Sequence, residues 1–321
     1  MERAVRVVYG PTGGRFTFMS GVIDAVEQFL ENNDISIHDR IGVSGGALSA
    51  AIKASGQPFT EWLTFASSLR HTVKMGGNRS LQNFWWLVSS KGLLKSSLVL
   101  DSMFRKVAPK MPKDAPCYAV SWCTSSKKGV AFDLSEDLDM GLCLLASCAL
   151  PIAFSPVKIQ NKELPFHIQQ RLQVIHKPDK YSTFRDGGLS PDWVCDLVPE
   201  APENMPVLVV SLEGAPPQSG SPITRLALTM FRSKTLDGVQ KAAETQPIQL
   251  IEVSCSAEVD EFAARFDLTK EEGLTLYNQG LKGARETLAR IGVSILDSLN
   301  LRFALNGSDE DIVSLPIQPS L

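Results

Sequence analysis

The chain has 321 residues and no stretch of uncharged apolar residues long enough to span a bilayer, which takes about 18 or more. The N-terminal MERAVRVVYG has no apolar core and no small-residue cleavage site, so no signal peptide is expected. An excess of charge is also missing. The net charge is −3, which argues against nucleic acid as the main partner, because phosphate binding usually needs a basic surface. The six cysteines (117, 123, 143, 148, 195 and 255) form no CxxC pair, and their spacing points to neither a zinc site nor a disulfide framework. Reduced thiols in a cytoplasmic protein are the expectation. No cluster of metal ligands stands out, so no metal, no cofactor and no calcium dependence is expected. Histidine is scarce, and only His38, His71, His167 and His176 are present.

Strand and helix signals alternate along the chain. Val5–Tyr9 is β-branched and stops at Gly10-Pro11. Val22, Ile23, Val26, Phe29 and Leu30 recur at helical spacing. Ile41–Val43 reads as a second strand and the Ala-rich Gly45–Ala54 as a helix. Residues 58–108 look helical and amphipathic, with breaks at Gly76-Gly77 and near Gly92. Paired strands are expected at Cys117–Cys123 and Gly129–Asp133, and an apolar helix over Met140–Ala149 stopped by Pro151. Val157–Ile159 and Tyr181–Arg185 flank a polar insert. Val207–Leu212 and Ile248–Val253 read as buried strands and Glu271–Ile291 as a long last helix. Such alternation predicts an α/β fold with a mostly parallel sheet and helices on both faces. Without internal repeats or low-complexity linkers, one domain over residues 1–305 is expected, followed by a polar tail at 306–321. Gly214–Pro222, rich in Gly, Pro and Ser, fits a surface loop as well as it fits a domain boundary.

Gly42-Val43-Ser44-Gly45-Gly46 is G-x-S-x-G between a strand and a helix, the setting in which that motif presents a nucleophile. Side chains at Gly42 and Gly46 would clash in so tight a turn. A serine hydroxyl needs a base. The α/β-hydrolase order puts the histidine late in the chain, yet no histidine follows His176, and one strand and one helix precede Ser44 where that fold has several. Phe184-Arg185-Asp186-Gly187-Gly188-Leu189 supplies a carboxylate at a strand end, with two glycines leaving room beside it. Taken alone it reads better as an ordinary Asp-Gly turn. The loop Gly10-Pro11-Thr12-Gly13-Gly14-Arg15 leads into a helix, so its amides can face an oxyanion. A phosphate-binding loop has the same geometry. Neither G-K-[ST] nor G-x-G-x-x-G is present, which makes nucleotide binding the weaker reading.

Taken in order, Gly13-Gly14-Arg15, Gly42–Gly46 and Asp186-Gly187-Gly188 resemble the patatin-like phospholipase family. So does Ala146-Ser147-Cys148-Ala149-Leu150-Pro151-Ile152-Ala153-Phe154-Ser155-Pro156-Val157, which is similar to the family's A-S-x-A-I-P-x-x-F-x-P-V. Gly92-Leu93-Leu94 and Phe266-Asp267-Leu268 extend the likeness to about residues 5–290. Pro11 and Thr12 stand where the family commonly has glycines, and Phe16 where it has one more. The resemblance implies a three-layer α/β/α fold and a Ser-Asp dyad that uses no histidine. It implies Ser44 as nucleophile, Asp186 as base and the amides of Gly13, Gly14 and Arg15 as the oxyanion hole. The implied substrate is a fatty-acyl ester of a glycerophospholipid, cleaved through an acyl-serine. An acyltransferase or thioesterase with the same dyad, or a non-catalytic lipid-binding protein, are the competing functions.

Outside these motifs, Asn83–Val88 is an aromatic cluster suited to core packing, an acyl channel or peripheral contact with a membrane. Lys106, Lys110 and Lys113 read as a solvated face. Cys148 reads as a small core residue.

Overall fold

Valine-rich strands with both faces covered form the middle of the molecule. β1 (Ala4–Tyr9) lies between β2 (Ser36–Val43) and β7 (Val207–Glu213), parallel to both. β3 (Cys117–Cys123) continues beyond β2 and β8 (Ile248–Ser254) beyond β7, again in parallel. Three strands joined by antiparallel pairing complete the sheet: β4 (Lys128–Asp133) and β6 (Tyr181–Asp186) run against β3, and β5 (Val157–Gln160) runs against β6. The computed structural model describes residues 3–68, 116–135, 139–151, 155–202, 205–213, 238–239, 241–243, 248–256, 259 and 269–305.

Side chains alternate across β1. Val7 and Tyr9 face one core, packed under α1 (Phe16–Glu31), α2 (Gly45–Ala54), α3 (Phe59–Ser68), α4 (Met140–Ser147) and the 36-residue α6 (Lys270–Leu305). Val8 faces a second core with Ile41, Val43, Val120 and Val209, closed by the 3-10 turn Val194–Leu197 and by Val239. A parallel sheet buried on both sides is what βαβ connections produce, and the predicted α/β arrangement with flanking helices is the observed one. Among the described residues no helix is long and apolar enough to cross a membrane.

Two elements run further than their hydrophobic patterns indicated. β2 begins at Ser36 rather than Ile41, because its polar first half is stabilised by ion pairs. Buried Asp39 takes Arg6 at 2.7 Å, and Arg40 pairs with Glu27 at 2.8 Å. Glu27 also accepts the Tyr9 hydroxyl at 2.7 Å. α6 continues past Ile291 to Leu305, with Ile295 and Leu299 still in the core. The Asn83–Val88 cluster, Gly92-Leu93-Leu94, Lys106, Lys110, Lys113, Gly214–Pro222, Phe266-Asp267-Leu268, His71 and the tail 306–321 lie outside the described residues, as do positions 152–154 and most of 58–108.

Candidate active site

Ser44 and Asp186 meet because two strands come end to end on one edge of β3. β4 pairs along β3 from Tyr118 to Cys123, taking one edge. The other edge is shared: β2 pairs with its first half, ending at Val43 opposite Val120, and β6 pairs with its second half, ending at Asp186 opposite Ser121. β2 and β6 therefore approach from opposite directions and stop at adjacent β3 positions. The residue after β2 and the last residue of β6 face each other there. The Ser44 hydroxyl donates to Asp186 Oδ2 at 2.6 Å.

The elbow is tight and strained. Ser44 has φ +56° and ψ −128°, a region that side-chain-bearing residues rarely occupy and that costs on the order of 1–3 kcal/mol. A Cβ on Gly42 would collide with Ala47, and one on Gly46 with the carbonyls of Tyr9 and Gly10, as the motif requires. Contacts on both sides of the serine hold the strain. Its carbonyl accepts from the Ala47 amide at 2.9 Å and from the Cys148 thiol at 3.2 Å. Its own amide donates to the hydroxyl of buried Ser147 at 3.1 Å. Sequence reading placed Ser147 in a family-like stretch but gave it no role, and nothing local reveals that the end of α4 reaches the elbow.

Asp186 is fully buried and its backbone amide is held by Ala149 O at 3.1 Å. Burial pushes its carboxyl pKa up to about 7, opposed by hydrogen bonds from Ser44 and from the Gly188 amide, the latter at 2.9 Å. The 3-10 turn Gly187–Leu189 brings that amide back onto the carboxylate. Burial, with Asp186 nearby, raises the Cys148 thiol well above its ordinary value, so it stays protonated beside the serine. His38 lies on β2 with its ring near Asp39, while His167 and His176 are exposed on the segment between β5 and β6.

The glycine-rich loop packs directly on the elbow. A Cβ on Gly45 would strike Thr12 Oγ1 and the Gly13 carbonyl. Residues Gly13–Arg15 form a 3-10 turn with Gly13 at φ +56°, closed by the Arg15 amide donating to Thr12 O at 3.1 Å. The Arg15 amide is therefore committed to the turn. The amides of Gly13 and Gly14 are in its first positions, where helical geometry provides no acceptor. All three sequence motifs thus converge on Ser44.

Residues 12–192, more than half of the chain, match the family described as Patatin-like phospholipase. The chain belongs to the patatin-like phospholipase family. No curated protein matches the chain in sequence. Among solved structures it is similar to VipD from Legionella pneumophila, at 11% identity over 87% of this chain and 67% of that one, with a TM-score of 0.37. It is also similar to a chain of the heterodimeric ExoU–SpcU complex of Pseudomonas aeruginosa, at 13% identity over 90% of this chain and 52% of that one, with a TM-score of 0.40. The chain thus spans about half to two thirds of the length of those proteins. Within the patatin-like pattern, Phe16 replaces a glycine, and its ring meets Trp62 edge-on at 5.2 Å. That contact draws the extra bulk toward α3 and the core.

Proposed function

We propose that the chain hydrolyses fatty-acyl esters of glycerophospholipids by a Ser44–Asp186 dyad. The 2.6 Å hydrogen bond from the Ser44 hydroxyl to a fully buried carboxylate carries this reading. Ser44 Oγ attacks the acyl carbonyl as Asp186 Oδ2 takes its proton. The amides of Gly13 and Gly14 receive the oxyanion, and preorganised donors of this kind are each worth about 2.7–4 kcal/mol of transition-state stabilisation. The proton passes from Asp186 to the departing lysolipid oxygen. Water, deprotonated by the same carboxylate, then attacks the acyl-serine; the acyl–Oγ bond breaks, the proton passes from Asp186 to Ser44 Oγ, and the fatty acid leaves. A carboxylate with a pKa near 7 is a far better base at neutral pH than an ordinary aspartate near 3.9. The family supports the acyl-ester substrate. The six free thiols fit the reducing cytoplasm.

The test is lipid mass spectrometry after incubation with mixed phospholipid vesicles, wild type beside Ser44→Ala. The expected products are lysophospholipid and free fatty acid in equal amounts, absent with the variant. Acyl transfer to an added alcohol in preference to water would make the chain an acyltransferase. Lipid left intact by both proteins would contradict the enzyme reading.

A further inference from the structure

A basic, aromatic excursion stands at the edge of the sheet, on the same end as Ser44. β5 is the edge strand, β6 its neighbour, and residues 161–180 leave the sheet between them. Backbone bonds tie this segment together: the Asn161 amide donates to Lys180 O at 2.8 Å, and the Lys162 amide to Pro178 O at 3.1 Å. The buried Asn161 side chain donates to Lys177 O at 2.7 Å and accepts from Ser182 at 2.7 Å. Its short helix α5 (Phe166–Leu172) seats Ile168 and Leu172 in the core. What faces outward is therefore held in place.

Three large apolar side chains point outward from it: Phe166 is 65% exposed, Tyr181 58% and Ile175 38%. Lys162, Lys177 and Lys180 are exposed on the same segment. Single exposed apolar residues are normal on any surface, and the charge here sets this group apart. Between Val157 and Arg185 there are six Lys or Arg against two Asp or Glu, in a chain whose net charge is −3. Direction adds to the argument. β6 runs antiparallel to β3, with Phe184 opposite Cys123 at the carboxyl end of β3. Tyr181 thus lies beyond the carboxyl ends of the parallel strands, and at ~3.3 Å per residue it stands about 17 Å above Asp186.

We propose that this excursion docks the protein on an anionic lipid bilayer. Phe166, Ile175 and Tyr181 enter the interface, where aromatic rings are favoured, and Lys162, Lys177 and Lys180 meet the headgroup phosphates. At the usual strength of such contacts, three lysines strengthen binding on the order of a hundredfold. The purpose of the surface rests on the proposed lipid hydrolysis, because docking turns the Ser44 end toward its substrate.

The test is vesicle flotation of the full chain in a Ser44→Ala background, so that binding is read without turnover. Vesicles of phosphatidylcholine alone are compared with equal parts phosphatidylcholine and phosphatidylserine, at low and high salt. Two patch variants are compared, Phe166→Ser with Tyr181→Ser, and Lys162→Glu with Lys177→Glu and Lys180→Glu. Val293→Ser on α6, a 73% exposed residue away from the patch, is the control. The expected result is salt-sensitive preference for the anionic vesicles, lowered at least roughly tenfold by each patch variant and unchanged by the control. Equal binding by either patch variant, no preference between vesicles, or no binding at all overturns the proposal. So does a dimer that the aromatic variant dissolves, which would make the patch a protein interface. Failure of lipid hydrolysis in the wild type would leave this binding readout intact.

Discussion

At Asp186 two tendencies oppose each other: burial raises its pKa toward about 7, while hydrogen bonds from Ser44 and the Gly188 amide favour the carboxylate. Proton uptake needs the ionised form, so kcat/KM should rise with pH through an apparent pKa near 7. A limb near 4, the ordinary carboxylate range, would contradict the environment described. Stability should move the other way. The folded pKa lies above the unfolded one, so between about pH 4 and 7 the folded protein keeps a proton that the unfolded chain releases. The associated stability is complete below that window and is lost as pH rises through it, on the order of 4 kcal/mol by neutral pH. Asp186→Asn removes the ionisation while its amide oxygen accepts from Gly188 and its NH2 donates to Ser44. Thermal melts should find this variant more stable than wild type at pH 8 and level with it near pH 4, with turnover lost. A variant less stable at pH 8 would count against the buried-charge account. Ser44 and Asp186 were legible as motifs. Their distance was not, because a 142-residue separation is closed by strand pairing that local sequence does not encode.

Among the elements, β3 brings Ser44 and Asp186 together and α4 steadies the elbow. The meeting of β2 and β6 on one β3 edge places two chain ends at adjacent positions, and Ser147 holds the strained elbow through the Ser44 amide. Removing that acceptor leaves a buried N–H unsatisfied, which costs about 1–3 kcal/mol. Ser147→Ala should therefore lower stability by that amount in denaturant titration and slow acylation at Ser44 with little change in KM. Ser147→Thr, which keeps the hydroxyl, should restore both. Unchanged acylation in Ser147→Ala would show that the elbow stands without α4. The elements legible in advance were those with a repeating apolar pattern. The first half of β2 was hidden because Asp39 and Arg40 are buried through pairing with Arg6 and Glu27, and those partners lie on other elements. The Arg15 amide illustrates the same limit: its membership of the glycine-rich loop was readable, and its use in closing the turn was not.

For the whole molecule, strand–helix alternation foretold a mostly parallel sheet between layers, and the family match agrees with the motif order. In sequence, the segment that carries the proposed docking surface shows only as a polar insert between Val157–Ile159 and Tyr181–Arg185, since its end of the sheet depends on the antiparallel register of β6. The central claim is that serine and aspartate suffice without histidine. Fluorophosphonate labelling followed by peptide mapping, run across pH on wild type, Asp186→Asn and single Gln variants of His38, His71, His167 and His176, tests it most directly. The predicted result is modification at Ser44 alone, with a rate that rises through pH 7, collapses in Asp186→Asn and stays within about tenfold in every histidine variant, the scale of ~1.4 kcal/mol in barrier. Labelling at Ser147 or Ser155 instead, or a folded histidine variant slowed about a thousandfold, roughly 4 kcal/mol, would contradict it.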